Sequence, residues 1–117
     1  MRKHAFVTFS AIAALTAAAS GAAAQEPQQA AVDNGRRVYM RSGCYQCHGR
    51  EGQGSPSTGP RLGPSPSAFA AFEAWVRRPR GEMPPYTMKV LSDADLADVY
   101  AFLRTRSRPA PASRLPF

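Results

Sequence analysis

Two cysteines and a histidine lie together in a stretch of five residues. Cys44, Cys47 and His48 form the pattern Cys-x-x-Cys-His in a chain of 117 residues, which has no other cysteine and one other histidine, His4. Thiols three positions apart can reach the two vinyl groups of one porphyrin and form thioethers with them. The histidine that follows is then held beneath the iron, which its imidazole nitrogen can bind. The spacing is typical of covalent haem attachment.

Three other interpretations of this pattern are open. A zinc site needs about four ligands, so carboxylates would have to complete the set. A redox-active dithiol uses Cys-x-x-Cys beside a β-α-β pattern, which this sequence does not show. A structural disulfide closing so small a loop would be strained and would constrain the chain little. The sequence favours haem attachment over all three.

The first 24 residues resemble an export signal. Arg2 and Lys3 precede an apolar run of about 14 residues, and small residues follow it up to Ala24. This run is short for a membrane-spanning helix, which needs about 20 apolar residues; an uncleaved N-terminal anchor is the alternative. Cleavage before Gln25 would remove two of the 15 basic residues and none of the 8 acidic ones, leaving a net charge of +5 (13 − 8). We therefore expect a periplasmic protein without stable membrane insertion.

The rest of the chain is predicted to be helical around an irregular middle. Glycine and proline recur from 49 to 67, which excludes regular structure there and suggests that a bound cofactor organises the segment. Helices are predicted over 31–42, after a polar and frayed stretch at 25–30, and over 68–78. No strand is predicted, so the fold class is all-α.

The last predicted helix has the clearest signals. Ser92 is a favourable N-cap, and Asp93 and Asp95 place negative charge in the first turn. An apolar stripe follows on one face, formed by Leu96, Val99, Phe102 and Leu103. The domain is expected to span 25–106, with an irregular proline-rich tail at 107–117.

Four motifs in order resemble the class I cytochrome c family of small electron carriers. They are Cys44-x-x-Cys47-His48-Gly49, Gly59-Pro60-Arg61-Leu62, Met83-Pro84-Pro85-Tyr86 and Leu91-Ser92-Asp93. The resemblance covers about 31–106. It implies three main helices wrapped around one covalently bound haem c, with the first and last helices crossing at Gly35, Tyr39, Val99 and Phe102.

The resemblance also implies a methionine as the second axial ligand of the iron. His48 would be the proximal ligand and Met83 the distal one, because the family places its methionine a short loop before the last helix. Met88 is the alternative, since nearby thioethers in a flexible loop can exchange. Met40 lies four residues before Cys44 and is tethered to the proximal side.

Further site residues follow from the same resemblance. The carbonyl of Pro60 would accept a hydrogen bond from the proximal imidazole, and Leu62 would pack on the haem face. Trp75 would either donate to a haem propionate or be buried in the core. The arginines that follow it would pair with propionates or face the solvent; they are Arg77, Arg78 and Arg80.

An iron bound by both His48 and Met83 has no open position for a substrate, which favours electron transfer over catalysis. The function expected is a periplasmic single-electron carrier with redox protein partners, such as a dehydrogenase or oxidase with an acidic surface. The alternative is a dedicated subunit or partner of a periplasmic dehydrogenase, with 109–117 as a docking arm. A haem enzyme or ligand sensor with a displaceable Met83 is a remote alternative. Nucleic-acid binding is not expected, because the positive charges are scattered.

Overall fold

The computed structural model describes residues 22–64 and 67–108. These residues form four helices, which are α1 (Ala22–Arg41), α2 (Cys44–His48), α3 (Phe69–Arg77) and α4 (Asp93–Arg104). The described part of the chain has no strand, and its one isolated bridge pairs Ser55 with Gly59. The all-α prediction is therefore confirmed. Most of the predicted leader (1–24) and of the predicted tail (107–117) lies outside the described residues.

The first helix is longer than the sequence indicated. The expected fraying of 25–30 is wrong, because α1 begins at Ala22 and runs through this stretch. Alanine, glutamine and glutamate are strong helix formers, so a polar segment needs no apolar stripe to be helical. An amide of Gln29 also donates to Asp33 at 2.9 Å, one turn later. No helix in the described residues combines the length and apolar character needed to cross a bilayer.

The short helix α2 was not predicted, and it carries the whole Cys-x-x-Cys-His motif. A glycine lies at each end, Gly43 with φ +78° and Gly49 with φ +76°. Both values are in the left-handed region that side chains with a Cβ rarely adopt. Gly43 separates α1 from the short helix, and Gly49 begins the loop that follows it. Cys44, Cys47 and His48 therefore share the single helical turn between the two glycines.

The last two helices agree with the prediction. α3 lies within one residue of the expected bounds at each end. α4 begins after Ser92, whose hydroxyl accepts a hydrogen bond from the backbone N–H of Asp95 at 3.1 Å. The whole predicted apolar stripe of α4 is buried. Helical periodicity was sufficient to place α3, and the Ser92 cap together with periodicity was sufficient to place α4.

The helix α1 packs against α4 at Gly35. A Cβ atom added there would lie 1.9 Å from the Asp98 carbonyl oxygen, so the two helix backbones are in direct contact. Next to this crossing the rings of Tyr39 and Phe102 lie 5.5 Å apart. The crossing therefore occurs at the residues that the family resemblance implied. The core around it consists of Val38, Tyr39, Phe72, Val76, Leu91, Leu96, Val99, Phe102 and Leu103.

Candidate haem site

The imidazole of His48 is buried and has one defined hydrogen-bond partner. Its Nδ1 lies 2.8 Å from the carbonyl oxygen of Pro60, twelve residues further along the chain. A carbonyl oxygen can only accept, so Nδ1 carries the proton and donates it. In a neutral ring this leaves the lone pair of Nε2 available to a metal. The contact that the resemblance implied is present, and it is of the kind that orients histidine ligands and raises their basicity.

The two cysteines of the motif occupy different environments. Cys44 is half-buried against the apolar core, and burial raises the pKa of its thiol to about 11. Cys47 is exposed, and both cysteines are free. An apolar setting disfavours the thiolate that zinc binding and dithiol chemistry require. In the described residues no group of three or more histidine, cysteine or acidic side chains is arranged to hold a metal ion.

The loop after the motif folds back over it. The hydroxyl of Thr58 donates to the carbonyl of Cys47 at 2.8 Å. A Cβ atom at Gly59 would lie 3.1 Å from that same carbonyl oxygen and 3.2 Å from Nδ1 of His48. The absence of a side chain at Gly59 therefore lets the loop come close enough for Pro60 to reach the imidazole.

Tyr39 fixes the other end of the motif. This residue is fully buried at the helix crossing, and its hydroxyl donates to the Gly49 carbonyl at 2.7 Å. Burial is the main cause that raises the pKa of Tyr39 above its ordinary value, so the phenol stays protonated and remains a donor. The family resemblance implied a helix-crossing role for Tyr39, but it did not indicate this hydrogen bond to the motif.

The methionines differ in their burial. Met83 is half-buried and packs against the same core as Cys44 and Leu62. Met88 is 64% exposed. Met40 is also half-buried, but it lies on α1 immediately before the motif. Among these side chains, Met83 is the thioether that combines core contact with a position distant in sequence from the proximal histidine.

The residues at the end of α3 differ from expectation. Trp75 is 51% exposed, so the interpretation of a buried indole is wrong. Arg80 and Arg78 are exposed, and the guanidinium of Arg80 lies 5.6 Å from the centre of the Trp75 ring. Arg77 neither faces the solvent nor is free for a propionate. Its Nη1 donates to the carbonyls of Tyr86 at 2.9 Å and Leu91 at 2.7 Å.

Tyr86 links the segment that carries Met83 to the motif. Its backbone N–H donates to Val76 at 3.1 Å, and its hydroxyl donates to the carbonyl of Ser42, two residues before Cys44, at 2.8 Å. Burial is the first cause that raises the pKa of the Tyr86 hydroxyl. Tyr86 belongs to the motif Met83-Pro84-Pro85-Tyr86, but the sequence did not indicate a structural role for it. A contact that spans 44 positions has no local sequence signal.

These residues fit a covalently bound haem. Two free thiols share one helical turn with a histidine whose Nε2 is available, and an apolar core adjoins that turn. An all-α domain with this motif defines the class of c-type cytochromes.

Comparison with known proteins gives the same result. Residues 30–103 match the family model described as cytochrome c oxidase, cbb3-type, subunit III. The chain is also similar to cytochrome c-555 of Methylococcus capsulatus, with 31% identity over 108 residues, covering 90% of this chain and 87% of the relative. No solved structure gives a significant match. The chain belongs to the cytochrome c family and carries covalently bound haem c with its iron.

Family membership determines the general role of the protein. The family and the relative support an electron carrier with a c-type haem and redox partners. The zinc and dithiol interpretations of Cys44 and Cys47 are thereby superseded.

Proposed function

We propose that the protein is an exported single-electron carrier, with its haem attached through Cys44 and Cys47 and its iron bound by His48 and Met83. The observation that carries this proposal is the hydrogen bond from Nδ1 of His48 to the Pro60 carbonyl, because it leaves Nε2 free to bind iron. The bound haem supplies a one-electron couple, and methionine opposite histidine raises its reduction potential.

The protein surroundings suit this role. Cys44, Leu62 and Met83 are half-buried against one core, so they provide an apolar environment on the side where the haem would lie. Pro60 holds the imidazole in one orientation, which keeps the proximal ligand fixed when the oxidation state changes. Trp75 is proposed to donate to a haem propionate, since its half-exposed indole is not enclosed by the core.

The charge distribution favours an acidic redox partner. Four arginines in the described residues form ion pairs, namely Arg36, Arg41, Arg77 and Arg106. Five exposed cations without an ion pair lie in the loops around the motif and Met83, namely Arg50, Arg61, Arg78, Arg80 and Lys89. Unneutralised charge near the site would speed the encounter with an acidic surface and make it sensitive to salt.

A second candidate function is a fixed subunit of an oxidoreductase complex. The observation that favours it is the matched family model, whose description names an oxidase subunit. Size-exclusion chromatography of host extract, followed by haem absorbance, separates the two candidates. A carrier elutes at the size of the single chain in high salt, whereas a subunit elutes with a larger complex.

The test of the proposed site is spectroscopic. The protein is exported with haem-maturation machinery, and its spectrum is recorded oxidised, reduced and after denaturation. We expect haem that survives denaturation, sharp reduced bands and the weak far-red band of methionine-bound ferric haem. The mass of the mature protein should correspond to a chain that begins at Gln25 plus one covalently bound haem.

Two matched variants identify the distal ligand. Met83→Ala should abolish the far-red band and allow the reduced protein to bind carbon monoxide. Met88→Ala removes an equivalent but exposed thioether and should leave both properties unchanged. Loss of the band in Met88→Ala alone would show that the ligand assignment is wrong. Haem that denaturing solvent extracts from wild-type protein would contradict attachment through Cys44 and Cys47.

A further inference from the structure

The side chain of Arg77 holds together the segment that carries Met83. We call residues 78–91, between α3 and the N-cap of α4, the methionine loop. The guanidinium donates to two carbonyls of this loop, those of Tyr86 and Leu91, and forms an ion pair with Asp93 at 2.5 Å. The arginine side chain is only 15% exposed. One largely enclosed cation thus joins the end of α3, two points of the loop and the start of α4.

Tyr86 extends these contacts across the site. All three of its hydrogen-bonding groups are engaged: the N–H with Val76, the carbonyl with Arg77 and the hydroxyl with Ser42. Met83 is three residues before this fixed point. Because Ser42 lies two residues before the Cys-x-x-Cys-His turn, Tyr86 connects the loop that carries the distal candidate to the chain just before the turn that carries the proximal histidine.

The two methionines of the loop lie on different sides of Tyr86 in the sequence and differ in burial. Met88 lies between the fixed residues Tyr86 and Leu91 and is 64% exposed, whereas Met83 packs against the core. Charged hydrogen bonds to carbonyls are stronger than neutral ones, and a half-buried carbonyl that loses its donor is left unsatisfied. The arrangement therefore favours the one loop conformation in which Met83 is turned inward.

We propose that Arg77 is a positioning residue that keeps the methionine loop closed and so controls the access of external ligands to the haem iron. This inference rests on the proposed function, in which Met83 binds the iron. An external ligand must wait for the loop to open, so its apparent affinity falls with the fraction of open molecules. Loss of the Arg77 contacts raises that fraction.

The experiment compares two arginine variants of the holoprotein by imidazole titration of the ferric form. Arg77→Gln should raise the affinity for imidazole about tenfold to a hundredfold, the factor that corresponds to the loss of a charged hydrogen bond. Arg78→Gln removes the same charge from an exposed neighbour and should leave the affinity unchanged. Tyr86→Phe, which loses the hydroxyl contact with Ser42 and keeps the carbonyl contact with Arg77, should have a smaller effect.

The outcomes are distinguishable. If Arg77→Gln and Arg78→Gln bind imidazole with the same affinity, the inference is overturned. This holds even if Arg77→Gln has a lower melting temperature, because the role of Arg77 is then only structural. If Arg77→Gln does not fold, Arg77→Lys serves as the test; an affinity equal to that of wild type overturns the inference. A wild-type protein without the far-red band contradicts the proposed ligand Met83, whereas a normal band with no difference between the variants contradicts only the role of Arg77.

Discussion

The substitution Gly35→Ala tests whether the contact between α1 and α4 holds the domain together. The new Cβ would lie 1.9 Å from the carbonyl oxygen of Asp98, 2.4 Å from its carbon and 2.9 Å from the nitrogen of Val99. All three atoms belong to the backbone of α4, so no side-chain rotation can relieve the overlap. The two helices would have to move apart by more than about 1 Å, since the interior is close-packed.

The sign of the effect distinguishes tertiary packing from local propensity. Replacing glycine by alanine inside an isolated helix stabilises it by about 1 kcal/mol. Overpacking in a core costs about 1–3 kcal/mol, and here it also separates the buried pair Tyr39 and Phe102. The lost aromatic contact adds about 1 kcal/mol to this cost and the gain in helix propensity removes about 1 kcal/mol, so we expect a net destabilisation of about 2 kcal/mol. For a domain of this size that lowers the melting temperature by roughly 8–16 °C.

The assay is thermal unfolding of the holoprotein followed by circular dichroism at the helical band. Gly81→Ala is the matched control, because a Cβ atom there meets nothing within 4 Å. Its φ of +74° still costs roughly 1–2 kcal/mol for a residue with a side chain. Gly35→Ala should therefore be the less stable of the two. A melting temperature of Gly35→Ala equal to or above that of wild type would refute the proposed helix contact.

Three further predictions concern the site. Tyr39→Phe leaves the Gly49 carbonyl without its donor and should lower the free energy of unfolding by about 1–3 kcal/mol in urea titrations; an unchanged midpoint would contradict this. The double variant Cys44→Ala/Cys47→Ala should be largely disordered by circular dichroism, because the glycine-rich middle then lacks the haem to pack against; a fully folded, haem-free protein would show otherwise. Trp75→Phe removes the proposed donor to a haem propionate and should lower the reduction potential in a redox titration. Stability should change by less than about 1 kcal/mol, as at exposed sites; an unchanged potential would argue against this contact.

Several features of the site could be predicted from short stretches of sequence. The Cys-x-x-Cys-His pattern specifies its chemistry within five residues, and the Ser92 cap and the stripe that follows define α4. These signals are local, because caps, glycine breaks and helical periodicity act within one or two turns. Pro60 was placed opposite His48 by family resemblance, and the 2.8 Å contact agrees with that placement.

Other features needed the tertiary structure. No local signal distinguishes Arg77 from Arg78, yet the guanidinium of Arg77 is half-buried and hydrogen-bonded to backbone carbonyls, whereas Arg78 is exposed. Neither the exposure of Trp75 nor the link from Tyr86 to Ser42 follows from helical spacing. Such contacts join residues 9 to 44 positions apart, and they depend on where three helices and a loop meet.

The sequence by itself thus determined the attachment chemistry, the helical class and the bounds of α3 and α4, because each depends on neighbouring residues. The family resemblance favoured Met83 as the inward methionine, and only the tertiary structure showed that Met83 packs against the core while Met88 is exposed. The physical reason is that a thioether has no local preference for burial. Its position depends on how the surrounding loop is held, which we attribute to the hydrogen bonds that Arg77 and Tyr86 make to backbone groups distant in the chain.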